Sequence, residues 1–169
     1  MTTRKLTITA LTVALVTVVT MAISIPISGT QGYLNFGDIM IFASAFLFGP
    51  QVGIIAGGIG SALADLLGGF PAWIPITLVA KGLEGYIAGK VCYNAKSKTQ
   101  KLVGIVAAGF SMVFVYYMGL VITLSFSNKE FVNALLGGFA EVPFNILQVV
   151  VGAVGGSILS VFLKDKIKL

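Results

Sequence analysis

A chain of 169 residues that is 57% hydrophobic and 10% charged, with a mean hydropathy of +1.00, is not a soluble domain; such a domain carries roughly 25% charged residues. The length fits about six spans of ~20 residues with short connections and leaves no room for a polar catalytic domain. The net charge of +5 does not point to nucleic acid, because nine of the eleven basic residues (Arg4, Lys5, Lys90, Lys96, Lys98, Lys101, Lys164, Lys166 and Lys168) fall on one side of a six-span bundle.

The expected fold class is therefore all-α, an integral membrane six-transmembrane-helix bundle formed as a single domain over residues 1–169. The protein is expected in the cell membrane, multi-pass, with both termini cytoplasmic. Span 1 runs from Leu6 to Ile25, longer than the apolar core of a signal peptide, and is expected to be retained. Pro26, Ser28, Gly29 and Gly32 make a first outer loop reaching Asn35. Span 2, Gly37 to Phe48, is about 18 Å long and cannot cross a ~30 Å core by itself. It must be tilted, shielded by neighbours, or preceded by a loop that dips into the bundle. Gly49-Pro50 is a tight turn. Span 3 runs from Val52 to Leu67, and Gly68-Gly69-Phe70-Pro71 ends it outside.

Span 4 runs from Trp73, placed in the interfacial aromatic belt, to Val91. Asn94 to Lys101 is a cytoplasmic loop, span 5 runs from Leu102 to Phe126, and Ser127-Asn128-Lys129-Glu130 is a short outer turn. The stretch from Phe131 to Leu163 is too long for one straight crossing, so Gly137-Gly138 or Pro143 interrupts span 6. Small residues recur at i and i+4 in Ala10/Ala14, Gly53/Gly57 and Gly152/Gly156, with Gly60, Ser61 and Ala64 continuing the span 3 strip. Such strips let helices approach closely in lipid, either inside the bundle or against another membrane protein. The Ala10/Ala14 strip is the best candidate for a docking face.

Asp38, Asp65, Lys81, Glu84 and Glu141 lie within or at the edge of apolar spans. A charge in hydrocarbon costs at least about 2.5–3.5 kcal/mol, so these groups face the bundle interior or a wet cavity. Four acids and one lysine do not cancel as simple pairs. Threading the spans gathers Asn35, Asp38, Asp65, Thr77, Lys81, Glu84, Tyr116, Tyr117, Glu141, Asn145 and Gln148 toward the outer half. Thr77, Lys81 and Glu84 share a helix face at i, i+4 and i+7, and Glu141, Asn145 and Gln148 repeat that spacing. A channel or proton relay needs polar groups along its whole path; one-sided enrichment fits a site open outward and closed below. Lys81 either contacts a ligand or braces the fold by pairing with Glu84 or Asp65. Tyr33, Phe36, Trp73, Tyr86, Tyr116 and Tyr117 could stack on a flat ring, though packing is the commoner role of an aromatic residue.

No cofactor or metal is expected: the chain has no histidine, and its single cysteine, Cys92, reads as a packed thiol. No phosphate-binding G-x-x-x-x-G-K-[ST] is present, so ATP hydrolysis is not expected from this chain. Ser61 near Asp65 lacks a base, and an aspartyl mechanism using Asp38 and Asp65 lacks a second signature, so no enzyme is expected.

Tyr33-Leu-Asn-Phe-Gly-Asp38, Phe48-Gly-Pro50, Gly57-Gly-Ile-Gly-Ser-Ala-Leu-Ala-Asp65 and Thr77-Leu-Val-Ala-Lys-Gly-Leu-Glu-Gly85 resemble the substrate-binding S components of energy-coupling factor (ECF) vitamin transporters. The resemblance is to the riboflavin-transporter-like group that also holds hydroxymethylpyrimidine and pyridoxine carriers, and it covers nearly the whole chain. It implies a six-helix bundle that captures a vitamin near its outer face and topples in the membrane to carry it inward. The implied partners are an ECF transmembrane coupling subunit and two cytoplasmic ATPase subunits. The family's docking surface matches Ala10 and Ala14, and its pocket is formed by the first outer loop and the outer parts of spans 4 to 6.

A surplus of carboxylates suits a ring bearing an amine or protonatable nitrogen, because charge-assisted hydrogen bonds to an aminopyrimidine edge are short and strong. Hydroxymethylpyrimidine is favoured, then pyridoxine-type vitamers; riboflavin, which needs a roomier pocket, and thiamine, through its aminopyrimidine half, are the alternatives. The competing expectations are a self-sufficient membrane carrier and a structural subunit without a ligand.

Overall fold

The computed structural model describes residues 2–27, 32–126 and 131–166. Ser28 and Gly29 of the first loop, the turn Ser127-Asn128-Lys129-Glu130, and Lys168 lie outside the described residues. Helix α1 spans Thr3–Ala22, starting earlier than hydropathy predicts because the Thr2 side chain accepts a hydrogen bond from the Lys5 amide and caps the first turn. It also ends earlier. Ser24–Pro26 (β1) pairs antiparallel with Tyr33–Asn35 (β2), in the register Ser24 with Asn35, Ile25 with Leu34 and Pro26 with Tyr33. The expected loop is therefore a small hairpin standing on an otherwise helical chain.

Helix α2, Gly37–Phe48, has the expected bounds. Nine of its twelve residues are buried, and it packs against α1, α3 (Pro50–Gly68), α4 (Ile74–Cys92) and α7 (Val142–Lys164). Shielding by neighbours is how a helix too short to span lipid is accommodated. Gly49 turns the chain at φ 84°, a conformation that costs glycine nothing, and Pro50 opens α3, where no intrahelical donor is needed. A 3₁₀ turn, Pro71–Trp73, leads into α4. Helix α5 is Lys98–Phe126 and α6 is Phe131–Gly138. The sixth span is broken at residues 139–141, between Gly137-Gly138 at the end of α6 and Pro143 in the first turn of α7, so both expected signals flank the interruption.

Helices α1, α3 and α5 and the 132–164 stretch are apolar and long enough to cross a membrane. Helix α4 carries Lys81, Glu84 and Lys90 and is tucked between α3 and α5. The bundle has an apolar interior, with Phe42, Ile41 and Val16 buried, and also an apolar exterior. Leu11, Phe110 and Val154 point outward, whereas Asp38, Lys81 and Glu84 are no more than 2% exposed. That distribution is what hydrocarbon as solvent requires.

The small-residue strips of spans 3 and 6 pack inside the bundle. A Cβ on Gly53 would strike the Gly85 carbonyl, and one on Gly57 the Lys81 carbonyl, so α3 and α4 touch backbone to backbone. Gly152 and Gly156 admit α2 at Asp38 and Phe42 in the same way. Thr17 ties α1 to α3 by donating to the Gly60 carbonyl (2.8 Å). Ala10 and Ala14 behave differently: both are exposed on the outward face of α1. Cys92 is buried, and its thiol donates to the Lys101 carbonyl (3.4 Å).

Candidate functional site

At the end of the bundle away from the termini, the last turn of α1, the hairpin, and the nearby ends of α3, α4, α5 and α7 enclose a cavity. Of the residues singled out by polarity, Asn35, Asp65, Thr77, Lys81, Tyr116, Glu141, Asn145 and Gln148 line it. These side chains come from β2, α3, α4, α5 and the start of α7. The space left is about 30 Å³, room for water and too little for a ring.

Two hydrogen-bonded groups build the walls. In the first, the Tyr33 hydroxyl donates to Asp65 Oδ1 (2.6 Å), which pins the hairpin to the end of α3. Burial, together with the neighbouring Asp65 carboxylate, raises the Tyr33 phenol well above its ordinary range, so the donor keeps its proton at neutral pH. Phe70 packs, tilted by 32°, against the Tyr33 ring (4.7 Å between centroids). Beside this pair, the Tyr116 hydroxyl donates to Thr77 Oγ1 (3.1 Å), and Trp73 packs against the Tyr116 ring (6.1 Å). Trp73 is 8% exposed and lines the cavity, which corrects its expected place in the lipid interface. The expectation came from its position at a span end; the 3₁₀ turn directs it inward instead.

The second group forms the floor. Lys81 Nζ donates to Asp38 Oδ1 at 2.5 Å and lies 3.6 Å from Glu84 Oε2. Gln148 Nε2 donates to Asp38 Oδ2 (3.3 Å), and Gln148 Oε1 accepts from the Asn35 amide (3.2 Å). Asn35 Oδ1 in turn accepts from the amide (2.9 Å) of Gly37, the first residue of α2. Lys81 lines the cavity and is paired with Asp38 and Glu84; the expected Asp65 pairing does not form, and Asp65 accepts from Tyr33 instead. Asp38 and Glu84 lie behind Lys81 and do not line the cavity.

Tyr117 also stays outside. One residue on from Tyr116, it points about 100° around the helix, where its ring packs on Phe139 (5.0 Å) and its hydroxyl donates to the Leu135 carbonyl (3.5 Å). Tyr86 faces outward, and Phe36 is absent from the lining. Several lining residues were not singled out as polar site candidates: Thr20, Ile27, Gly32 and Ser61. Thr20 Oγ1 and Asp65 Oδ2 are buried and make no hydrogen bond among the described residues. Hydroxyls in apolar helices ordinarily bond their own backbone, so the only sequence signal for Thr20 and Ser61 was their position at the polar end. Gly32 approaches the Glu141 carboxyl so closely that a Cβ would collide with it.

Comparisons with known proteins agree with this architecture. Residues 1–165 match the family of ECF-type riboflavin transporter S components. The chain is 44% identical to an uncharacterized protein in a gap 3′ region of Pyrococcus woesei, over 90% of this chain and 96% of that one. It is 31% identical to the thiamine precursor transporter HmpT of Lactococcus lactis subsp. cremoris, over 93% of this chain and 86% of the relative. The solved S component of a bacterial ECF transporter superposes with a TM-score of 0.76 at 20% identity, covering 98% of both chains, which is a likeness of fold. A multi-pass membrane bundle of this form, matched over almost its whole length, belongs to the S-component family of ECF-type riboflavin transporters, and it is a transporter subunit and not an enzyme.

Proposed function

We propose that the chain is the substrate-capture subunit of an ATP-driven ECF-type importer, binding a small heteroaromatic vitamin or precursor near the extracellular face. Hydroxymethylpyrimidine is the favoured ligand and pyridoxine-type vitamers come next. The observation that carries this reading is the enclosed polar cavity, where Asp65, Glu141, Asn145 and the Thr20 hydroxyl converge beside Trp73 and Tyr116. Carboxylates and an amide can hydrogen-bond an aminopyrimidine edge while the aromatic rings cover its faces. Ligand entry requires the hairpin, held by Tyr33 and close to Glu141, to move. The name of the HmpT relative, a thiamine precursor transporter, points the same way.

S components work with an ECF coupling subunit and ATPases. The lysine-rich end of the bundle faces the cytoplasm in this reading, with both termini inside and the cavity opening outward. Delivery of the ligand inward then rests on the coupling subunit docking on α1, where Ala10 and Ala14 present a small-residue face that is exposed among the described residues.

A thermal-shift panel on the purified chain tests the ligand class. Hydroxymethylpyrimidine is expected to give the largest stabilisation, with pyridoxine-type compounds below it and riboflavin and thiamine weaker. A dominant shift with riboflavin would assign the site to the larger ring, and a flat response across the panel would remove the capture role. Docking has its own test. Ala10→Trp is expected to abolish co-purification with the coupling subunit while leaving vitamin affinity unchanged; loss of both together would make the strip internal packing.

A further inference from the structure

We propose that the lysine-rich end of the bundle contains a binding site for a phosphate diester, and that its occupant is the headgroup of an anionic glycerophospholipid. A cavity of about 480 Å³ opens there, among the ends of α2, α4, α5 and α7. Lys98, Lys101 and Lys164 line it, joined by the polar side chains of Asn94 and Ser97. No aspartate or glutamate does. Among the described residues none of the three ammonium groups has a carboxylate within ion-pair distance.

The cavity is built and not merely basic. Ser97 caps α5, its Oγ accepting from the Gln100 amide (3.0 Å), while Gln100 Oε1 accepts from the Lys96 amide (3.1 Å). These bonds fix the connection that carries Ser97 and Lys98. Lys101 Nζ stands 4.6 Å from the centroid of the Phe46 ring, which orients its charge at the cavity wall. Uncompensated cations around a cavity select an anion, and a phosphate offers each ammonium an acceptor oxygen.

The rest of the lining chooses between a soluble phosphate and a lipid. Phe46, Leu47 and Val161 are apolar, and Val161 is 67% exposed on the outward face of α7. The mouth therefore meets the same surface that faces the acyl chains. A phospholipid can place its headgroup among the lysines and run its chains down past Val161, whereas a soluble phosphate would leave that apolar rim without a partner. Basic pockets between helices at the cytoplasmic surface are suited to anionic headgroups on general electrostatic grounds.

Native mass spectrometry of the detergent-released full chain tests this. The intact protein is expected to retain one phosphatidylglycerol with at least ten-fold preference over phosphatidylcholine. Lys98→Gln/Lys101→Gln/Lys164→Gln should lose that preference, and so, in part, should the single exposed change Lys164→Gln. Lys96→Gln/Lys166→Gln, outside the cavity, should keep it. Glycerol phosphate at the same concentration should not displace the lipid; full displacement would overturn the lipid assignment in favour of a soluble phosphate. Equal retention of the two lipids, or wild-type preference in Lys164→Gln and in a folded triple variant, would overturn the site itself.

Discussion

Lys81→Met is expected to destabilise the bundle by about 3–5 kcal/mol, the cost of removing one partner from a buried ion pair. Lys81 is 2% exposed and holds Asp38 at 2.5 Å with Glu84 at 3.6 Å. Methionine keeps the volume of the stem and removes the ammonium, leaving the buried Asp38 and Glu84 carboxyl groups without their cation. Asp38 also receives Gln148 Nε2, and Gln148 receives the Asn35 amide, so the disturbance passes into α7 and the hairpin. Denaturation in detergent, followed by circular dichroism, should show the loss. Adding Asp38→Asn should recover part of it, since the pair is then removed together and the single effects are not additive. An unchanged midpoint for Lys81→Met would show that the triad is not what holds α2, α4 and α7 together.

The α3–α4 contact predicts the second large effect. Gly53→Ala is expected to cost about 1–3 kcal/mol, the range for forcing a methyl into a filled interface. The added Cβ meets the Gly85 carbonyl, a backbone atom that cannot rotate aside. The helices must separate, and Lys81, one turn before Gly85, moves with α4. Gly82 provides the control on the same helix pair: a Cβ there finds Ile54 at 3.6 Å, an ordinary contact. Gly82→Ala should therefore be neutral or slightly stabilising, because alanine is the better helix former. Thermal unfolding of the two variants decides the matter, and equal midpoints would contradict the backbone-to-backbone packing.

Much of this fold could be read in the chain because the bilayer leaves few options. Apolar runs of spanning length, Gly49-Pro50, and the Gly137-Gly138 and Pro143 signals placed the helices and the broken sixth span. Eight of the residues singled out by polarity line one cavity at the end of the bundle away from the termini. What polarity could not give was the partner across a helix interface. The i, i+4, i+7 spacing put Lys81 on an inward face, yet nothing local distinguishes Asp38 from Asp65 as its partner; that choice depends on α2 being drawn into the centre by Gly152 and Gly156. Tyr116 and Tyr117 are adjacent and equally polar, and only the rotation of α5 decides which one reaches the cavity. The hairpin escaped notice because its strands are three residues long and too short for alternation to show. Trp73 was misplaced because an aromatic residue at a span end has the same sequence signature whether it faces lipid or a cavity.

Isothermal titration of hydroxymethylpyrimidine into the purified wild-type chain and into Glu141→Ala bears most directly on the capture role. The expected outcome is one site per chain with Kd well below micromolar, weakened at least ten-fold in the variant, about 1.4 kcal/mol. Equal heats and equal Kd for the two proteins, or no binding to either, would contradict a ligand site built around Glu141.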